Sequence, residues 1–389
     1  MPKERVAEWD VMRGIAFLAI VLQHAIGQFA YRKDTSLFDA YILAAIYHLV
    51  KFGVPAFVLL TGTGLFYNYY AKLNYPAFIR KRSTDILIPY FLWTVIYFVY
   101  MFPGENIDFL WFKDVGLQIL NPTLGYHFWF VLMIFQFYLL FPLFLKGITW
   151  AKESRDSCKT RTLNALLVFT GLGYMVLMWV SDKYLPYHVS SYPSFLQYLI
   201  INRNTNFLFY SFYFVFGAVI ALELERWQKI IVGSMRWNII LFIVAYGWVG
   251  YELFIGTGYN LPINLNWSTT LKPSMFMLIF SELIALYMIA LKIIHKNNYI
   301  NTLTSWIGKY SYGAYLAHAL ILGELIKVFD GFYLKHPALN QYYVLVTLIV
   351  FLLVSVVSIF TCFILSKFPL GRYLIGPQGS TNKEVTETS

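Results

Sequence analysis

Glu8-Trp9-Asp10-Val11-Met12-Arg13-Gly14-Ile15-Ala16-Phe17-Leu18-Ala19-Ile20-Val21-Leu22-Gln23-His24-Ala25-Ile26-Gly27-Gln28 is the stretch on which the fold turns. From Gly14 an apolar run continues to about residue 31, close to the roughly 20 residues a helix needs to cross a bilayer. Met1–Val11 is polar and no small-residue cleavage site follows the run, so it is expected to stay in place as a signal anchor. The whole chain has the same character. Of its 389 residues 59% are hydrophobic and 13% charged, against roughly 45–50% and 25% in soluble domains. One soluble core cannot hide that much apolar surface, so lipid is the expected solvent.

Further apolar runs lie near 44–66, 86–102, 128–146, 162–180, 206–222, 237–255, 273–292, 311–329 and 342–366. The expected fold is therefore an all-α polytopic membrane protein of about ten transmembrane helices. One membrane domain covers 1–372, and 373–389 is expected to be a polar, disordered cytoplasmic tail. In the second run Lys51 and Pro55 interrupt the apolar pattern, so 37–50 reads as an outer re-entrant or interfacial segment preceding the span. No internal repeat is evident.

The formal charge of +10 fits membrane topology better than nucleic-acid binding. Alternating the spans from a cytoplasmic N-terminus places 21 of the 30 Lys and Arg residues in inner segments and 8 in outer ones. That bias predicts both termini inside. The outer loops 103–127, 182–205 and 256–271 are rich in Asn, Tyr, Pro and Trp, which suits either a sugar-facing vestibule or simple connection. Cys158 and Cys362 form neither a disulfide framework nor a metal spacing, and no metal site is expected.

Within the first run, Arg13 and His24 are 11 residues apart. At about 100° per residue they share one helix face, separated by about 16 Å along the axis. Asp10 precedes Arg13 by three and can pair with it. A polar side chain at the depth of His24 marks a functional site by default; the plainer reading is a neutral imidazole satisfied by a neighbouring helix. Its ordinary pKa, about 6.5, suits proton transfer near neutral pH. His24 can take the proton of a hydroxyl during acyl transfer or accept the acyl group itself, and the sequence does not choose between these.

Arg13–His24, a basic residue and a His with ten residues between them, resembles the first-helix signature of the membrane acyltransferase 3 family. Four later stretches resemble that family in order: Phe52–Gly62, Arg80-Lys81-Arg82 followed by Ile88–Trp93, His127–Phe130, and Ile307–His318. The resemblance runs from about Glu8 to Arg372. It implies transfer of an acyl group, most simply acetyl, from a cytoplasmic acyl-CoA to a hydroxyl of an envelope glycan or related acceptor. It also implies a bacterial plasma-membrane location, no bound cofactor, and glycan-synthesis proteins as possible partners. His24 would be catalytic, with Arg13 and the loop Arg80, Lys81 and Arg82 handling the donor. Many members carry two Arg three apart in that loop, whereas Asp85 stands three after Arg82 here. A cation cluster suits CoA phosphates; it also suits plain inner-face topology.

Other pocket candidates follow. Tyr315 and Ser311 lie three and seven residues before His318 on one face, where a structural hydrogen bond competes with a pocket role. His127 and Trp129 open the fourth span, and an aromatic-belt anchor at the outer face is the favoured reading. Glu282 lies deep in an apolar run, where an acid is expected to pair with a cation or a polar helix neighbour. Glu324 and Lys327 read as a local pair, Lys51 as a cation reaching outward, and His48, His188, His295 and His336 as surface or interfacial.

No phosphate loop, Gly-x-Ser-x-Gly elbow, His-Glu-x-x-His zinc site or His-x4-Asp motif is present. A polysaccharide or small-molecule transporter is the alternative class, disfavoured because transporters often carry internal repeats. A lipid or small-molecule acyltransferase of the same fold is a third reading.

Overall fold

The computed structural model describes residues 5–153, 159–258, 261–296, 298–335 and 342–376. Sixteen α-helices follow one another: α1 (Ala7–Phe29), α2 (Leu37–Leu49), α3 (Gly53–Tyr69), α4 (Tyr75–Arg82), α5 (Ile88–Met101), α6 (Phe109–Leu120), α7 (Trp129–Glu153), α8 (Lys159–Lys183), α9 (Leu185–His188), α10 (Ser194–Ile201), α11 (Ser211–Leu222), α12 (Leu224–Thr257), α13 (Pro273–Lys296), α14 (Asn298–Tyr333), α15 (Tyr343–Leu365) and α16 (Arg372–Ile375). Among the described residues nine segments are long and apolar enough to cross a membrane, and Phe207–Leu222 is a shorter apolar tenth. The chain is an all-α polytopic membrane protein. Phe169, Trp237, Ile243 and Val356 point outward and are more than half exposed, as lipid-facing side chains must be.

Two close crossings fix the middle of the bundle. A Cβ on Gly14 would stand 2.3 Å from the Thr304 carbonyl oxygen, and one on Gly308 2.3 Å from that of Asp10. The backbones of α1 and α14 therefore touch through paired glycines. Gly62 of α3 and Gly217 of α11 do the same against Phe214 and Leu59. Lipid tails offer helices no hydrophobic drive to associate, so such small-residue contacts carry the packing.

Several helices are broken, each for a visible reason. α2 and α3 are two parts of one crossing, interrupted at Val50–Phe52. Gln23 of α1 donates to the Val50 carbonyl at 2.5 Å, which supplies the freed backbone with a partner. Residues 37–50 thus form the first part of a broken span, Leu37–Tyr69, that reaches the depth of Gln23, rather than a separate re-entrant or interfacial segment before it. α4 and α5 join through a wide turn, Ser83–Leu87, with five-residue hydrogen bonding. Pro89 has no N–H for the Asp85 carbonyl, and the Tyr312 hydroxyl takes the neighbouring Ile86 carbonyl at 2.7 Å.

α6 turns back along α5. Trp111 packs on Phe98, and the Ile119 carbonyl accepts from the Tyr90 hydroxyl at 2.7 Å, about 12 Å deeper along the helix. Phe128 lies at that same depth, 5.5 Å from the Tyr90 ring. Asn121–Phe128 is therefore a re-entrant loop whose last part, at Gly125, His127 and Phe128, is buried in protein, while Asn121, Thr123 and Tyr126 remain exposed.

Several expectations change. His48 is buried and bonded to the Ser268 hydroxyl at 2.5 Å, because α2 packs inward rather than lying at the surface. Lys51 does not reach outward. It is buried at the α2–α3 break, donating to the Tyr47 hydroxyl at 2.8 Å above that ring. Glu282 is buried with no hydrogen-bond partner at either carboxylate oxygen among the described residues; Lys51 and the Phe52 backbone are among its polar surroundings. His188 and His295 are exposed. The Glu324–Lys327 pair is present at 2.7 Å. Cys158, His336 and the tail from residue 377 lie outside the described residues, whereas Arg372–Ile375 forms α16 and packs on α5.

Candidate active site: a histidine relay between two cavities

The end of the bundle that holds Arg5, Arg13, Arg82 and Lys309 is its basic end. A cavity of about 290 Å³ opens there. Asn68 and Phe57 of α3 both line it, and their 11-residue separation gives it a reach of about 16 Å. That is also the separation of Arg13 and His24. Its wall changes character with depth, from Arg5, Asp10, Arg13 and Asn68 to Phe57, Ile134, Phe130 and Tyr315.

Asp10 organises the mouth. It accepts from Arg13 at 2.8 Å and from Arg5 at 2.5 Å, so two cations stand together without mutual repulsion dominating. Arg82 lies across the Phe78, Tyr138 and Tyr69 rings at 5.4–5.9 Å, and its Nε has no partner among the described residues. Stacking fixes the guanidinium plane and leaves donors free for an anion. Of the three predicted donor-loop cations only Arg82 faces the cavity; Arg80 and Lys81 are exposed to solvent. The lining passes from Arg82 to Ile86 and leaves Asp85 aside. Arg5 and Lys309 complete the cation set, and sequence reading gave neither a role. Lys309 stands two residues before Ser311, inside a stretch already notable for its small and aromatic residues. Ser311 also lines the cavity, with its hydroxyl turned to the Gly308 carbonyl.

Beyond the blind end lies a relay. His24 Nδ1 and His318 Nε2 are 2.7 Å apart, and His318 Nδ1 is 2.5 Å from the Tyr315 carbonyl. A carbonyl only accepts, so His318 donates from Nδ1. Its Nε2 is then the acceptor in the neutral ring, and His24 donates to it from Nδ1. The lone pair of His24 is left on Nε2. The α14 backbone is held open beside His318 by Tyr97. Its hydroxyl donates to the Leu316 carbonyl at 3.1 Å and accepts from the Leu320 N–H at 2.8 Å, standing between two groups that an α-helix bonds to each other. Tyr97 escaped the sequence reading, because an apolar span rich in Tyr gives no sign of which one reaches a neighbouring backbone.

His127 is not a belt anchor. The re-entrant loop carries it inward to 2% exposure, its ring 4.7 Å from His318 and 6.3 Å from His24. Trp129 stays half-buried beside Tyr210. Glu282 belongs to the Lys51 region and lines neither cavity. On the far side of the relay a second cavity, of about 190 Å³, is bounded by Gln28, Tyr97, Tyr100, Tyr126, Glu324 and Lys327 among others. Tyr126 packs edge-on against His24 at 5.0 Å.

A family model described as an acyltransferase domain matches residues 6–367. The chain belongs to the acyltransferase 3 family. Among curated proteins it is 23% identical to a putative membrane-bound acyltransferase, YfiQ, of Bacillus subtilis, covering 96% of this chain and 94% of that one. It is 24% identical to a probable poly-β-1,6-N-acetyl-D-glucosamine export protein of Staphylococcus epidermidis, covering 97% and 96%. No solved structure matches. The protein is a multi-pass membrane acyltransferase.

Proposed function

We propose that this acyltransferase moves an acyl group, most simply acetyl, from a cytoplasmic acyl-CoA to a hydroxyl of an envelope glycan. The observation that carries the reading is the position of His24. It stands beyond the apolar end of a cavity whose mouth holds Arg5, Arg13, Arg82 and Lys309, with the second cavity approaching from the other side. CoA phosphates meet the cations, and the pantetheine arm runs down the wall toward Tyr315. The acceptor comes through the second cavity, whose Tyr, Gln, Glu and Lys side chains suit a hydroxyl-rich ligand. His24, with its lone pair on Nε2, takes the hydroxyl proton as the acyl carbon is attacked and returns it to the departing sulfur. The bond to His318 stabilises the imidazolium formed in between. No acyl-histidine is needed.

One comparison favours a second reading, since the Staphylococcus relative is named an export protein. Mass spectrometry of envelope polymers from cells with and without the gene separates the two. Acyl transfer predicts a missing ester mass in the deletion, restored by the wild-type protein and not by His24→Ala, which still inserts. Full ester content with His24→Ala removes the catalytic assignment. Loss of an exported polymer with no change in its acylation favours export.

A further inference from the structure

His127 is fastened at its backbone, where the Tyr315 hydroxyl donates to its carbonyl. Its ring has two carbonyls close by, those of Tyr315 and Leu316, but makes no well-aligned hydrogen bond among the described residues. A neutral imidazole always carries one N–H. A buried donor without a partner calls for an explanation, and a donor reserved for a passing ligand supplies one. The surrounding donors are already committed. The His24 N–H serves His318, the His318 N–H serves the Tyr315 carbonyl, the Tyr315 hydroxyl serves His127, and the Tyr97 hydroxyl serves Leu316. Tyr126 approaches His24 as well, but lines the second cavity. Phe130 and Tyr315 line the first cavity and adjoin His127, which itself lines neither cavity: the Tyr315 ring is 5.1 Å from its ring and the Phe130 N–H donates to its carbonyl at 3.3 Å.

We propose that His127 is a catalytic residue that donates its ring N–H to the acyl carbonyl oxygen as negative charge develops there. The inference rests on the acyl-transfer reading above. The acceptor oxygen gives its proton to His24 Nε2 and bonds to the acyl carbon. The carbonyl electron pair moves onto oxygen, where the His127 N–H meets it. When that pair returns, the carbon–sulfur bond breaks, and the thiolate takes the proton back from His24. A fixed donor that meets charge only in the transition state accelerates the step without tightening donor binding.

The test measures acyl transfer in membranes with acetyl-CoA as donor and the purified envelope polymer of a deletion strain as acceptor. His127→Leu is expected to lower kcat by about 10²–10³-fold, with KM for acetyl-CoA within about twofold. His127→Gln, which keeps an N–H, is expected to recover at least about tenfold over His127→Leu. Should the Leu variant fail to accumulate, Gln is compared with His127→Met, similar in length and without a donor; activity in Gln alone supports the role. A Leu variant within threefold of wild type, equal activity in Gln and Met, or a loss confined to KM overturns it. Wild-type protein that transfers nothing, or a fully active His24→Ala, defeats the underlying reading instead. An inactive His24→Ala beside an active His127→Leu defeats only this one.

Discussion

At the scale of single residues, the proposed reaction turns on which nitrogen of His24 holds the proton. That choice is made by His318, whose own tautomer is set by the Tyr315 carbonyl. His318→Phe removes the acceptor and lets the His24 ring turn and change tautomer. We expect kcat to fall by about 10²–10³-fold. KM for the acyl-CoA should hardly change, because Arg13 and Arg82 are untouched. His318→Gln, whose side-chain oxygen can accept from His24 Nδ1, should restore part of the rate. A Phe variant with wild-type kcat at wild-type abundance would show that the relay is only structural.

At the scale of elements, the relay exists because α1 and α14 cross closely enough to bring His24 and His318 together. Gly14 and Gly308 set that distance. Gly308→Ala puts its Cβ 2.3 Å from the Asp10 carbonyl oxygen, and backbone cannot step aside as a side chain can. The cost is expected to be about 1–3 kcal/mol, seen as a lower unfolding temperature of the detergent-extracted protein together with reduced transfer. Gly331→Ala, on the same helix with nothing within 4 Å, is the control and should be neutral. If both behave alike, the crossing is not what holds these helices. The wide turn before Pro89 and the re-entrant loop after α6 show the converse, that irregular backbone persists at depth where protein groups satisfy it.

For the whole molecule, the excess of Lys and Arg in alternate segments predicts a bundle oriented with its basic end inward. Cysteines placed in a background lacking Cys158 and Cys362 test this directly. Ser190→Cys, at the end opposite the cations, should react with a membrane-impermeant maleimide in intact cells. Thr302→Cys, at the basic end, should react only after permeabilisation. The reverse pattern would place the cation-lined cavity away from cytoplasmic acyl-CoA and end the donor assignment.

Hydrophobicity and helical periodicity are properties of consecutive residues, which is why they were legible from the outset. The runs 206–222, 273–292 and 342–366 fall close to Phe207–Leu222, Pro273–Lys296 and Tyr343–Leu365. Where helices run on past the apolar stretch, as α12 and α14 do toward Leu224 and Asn298, polar residues prolong them and hydropathy stops short. The spacing of Arg13 and His24 was equally fixed, since one helix joins them. Its partner was not: His318 stands 294 residues away, and only the rotation and closeness of α1 against α14 bring the rings to 2.7 Å. The same holds for His127, Lys51 and His48, whose side chains turn inward although their neighbours in sequence suggest a surface. It holds too for Arg82, which faces the cavity while Arg80 and Lys81 do not. Sequence determines which residues a helix carries and at what interval; packing alone determines where each face points, because that depends on surfaces contributed by distant segments.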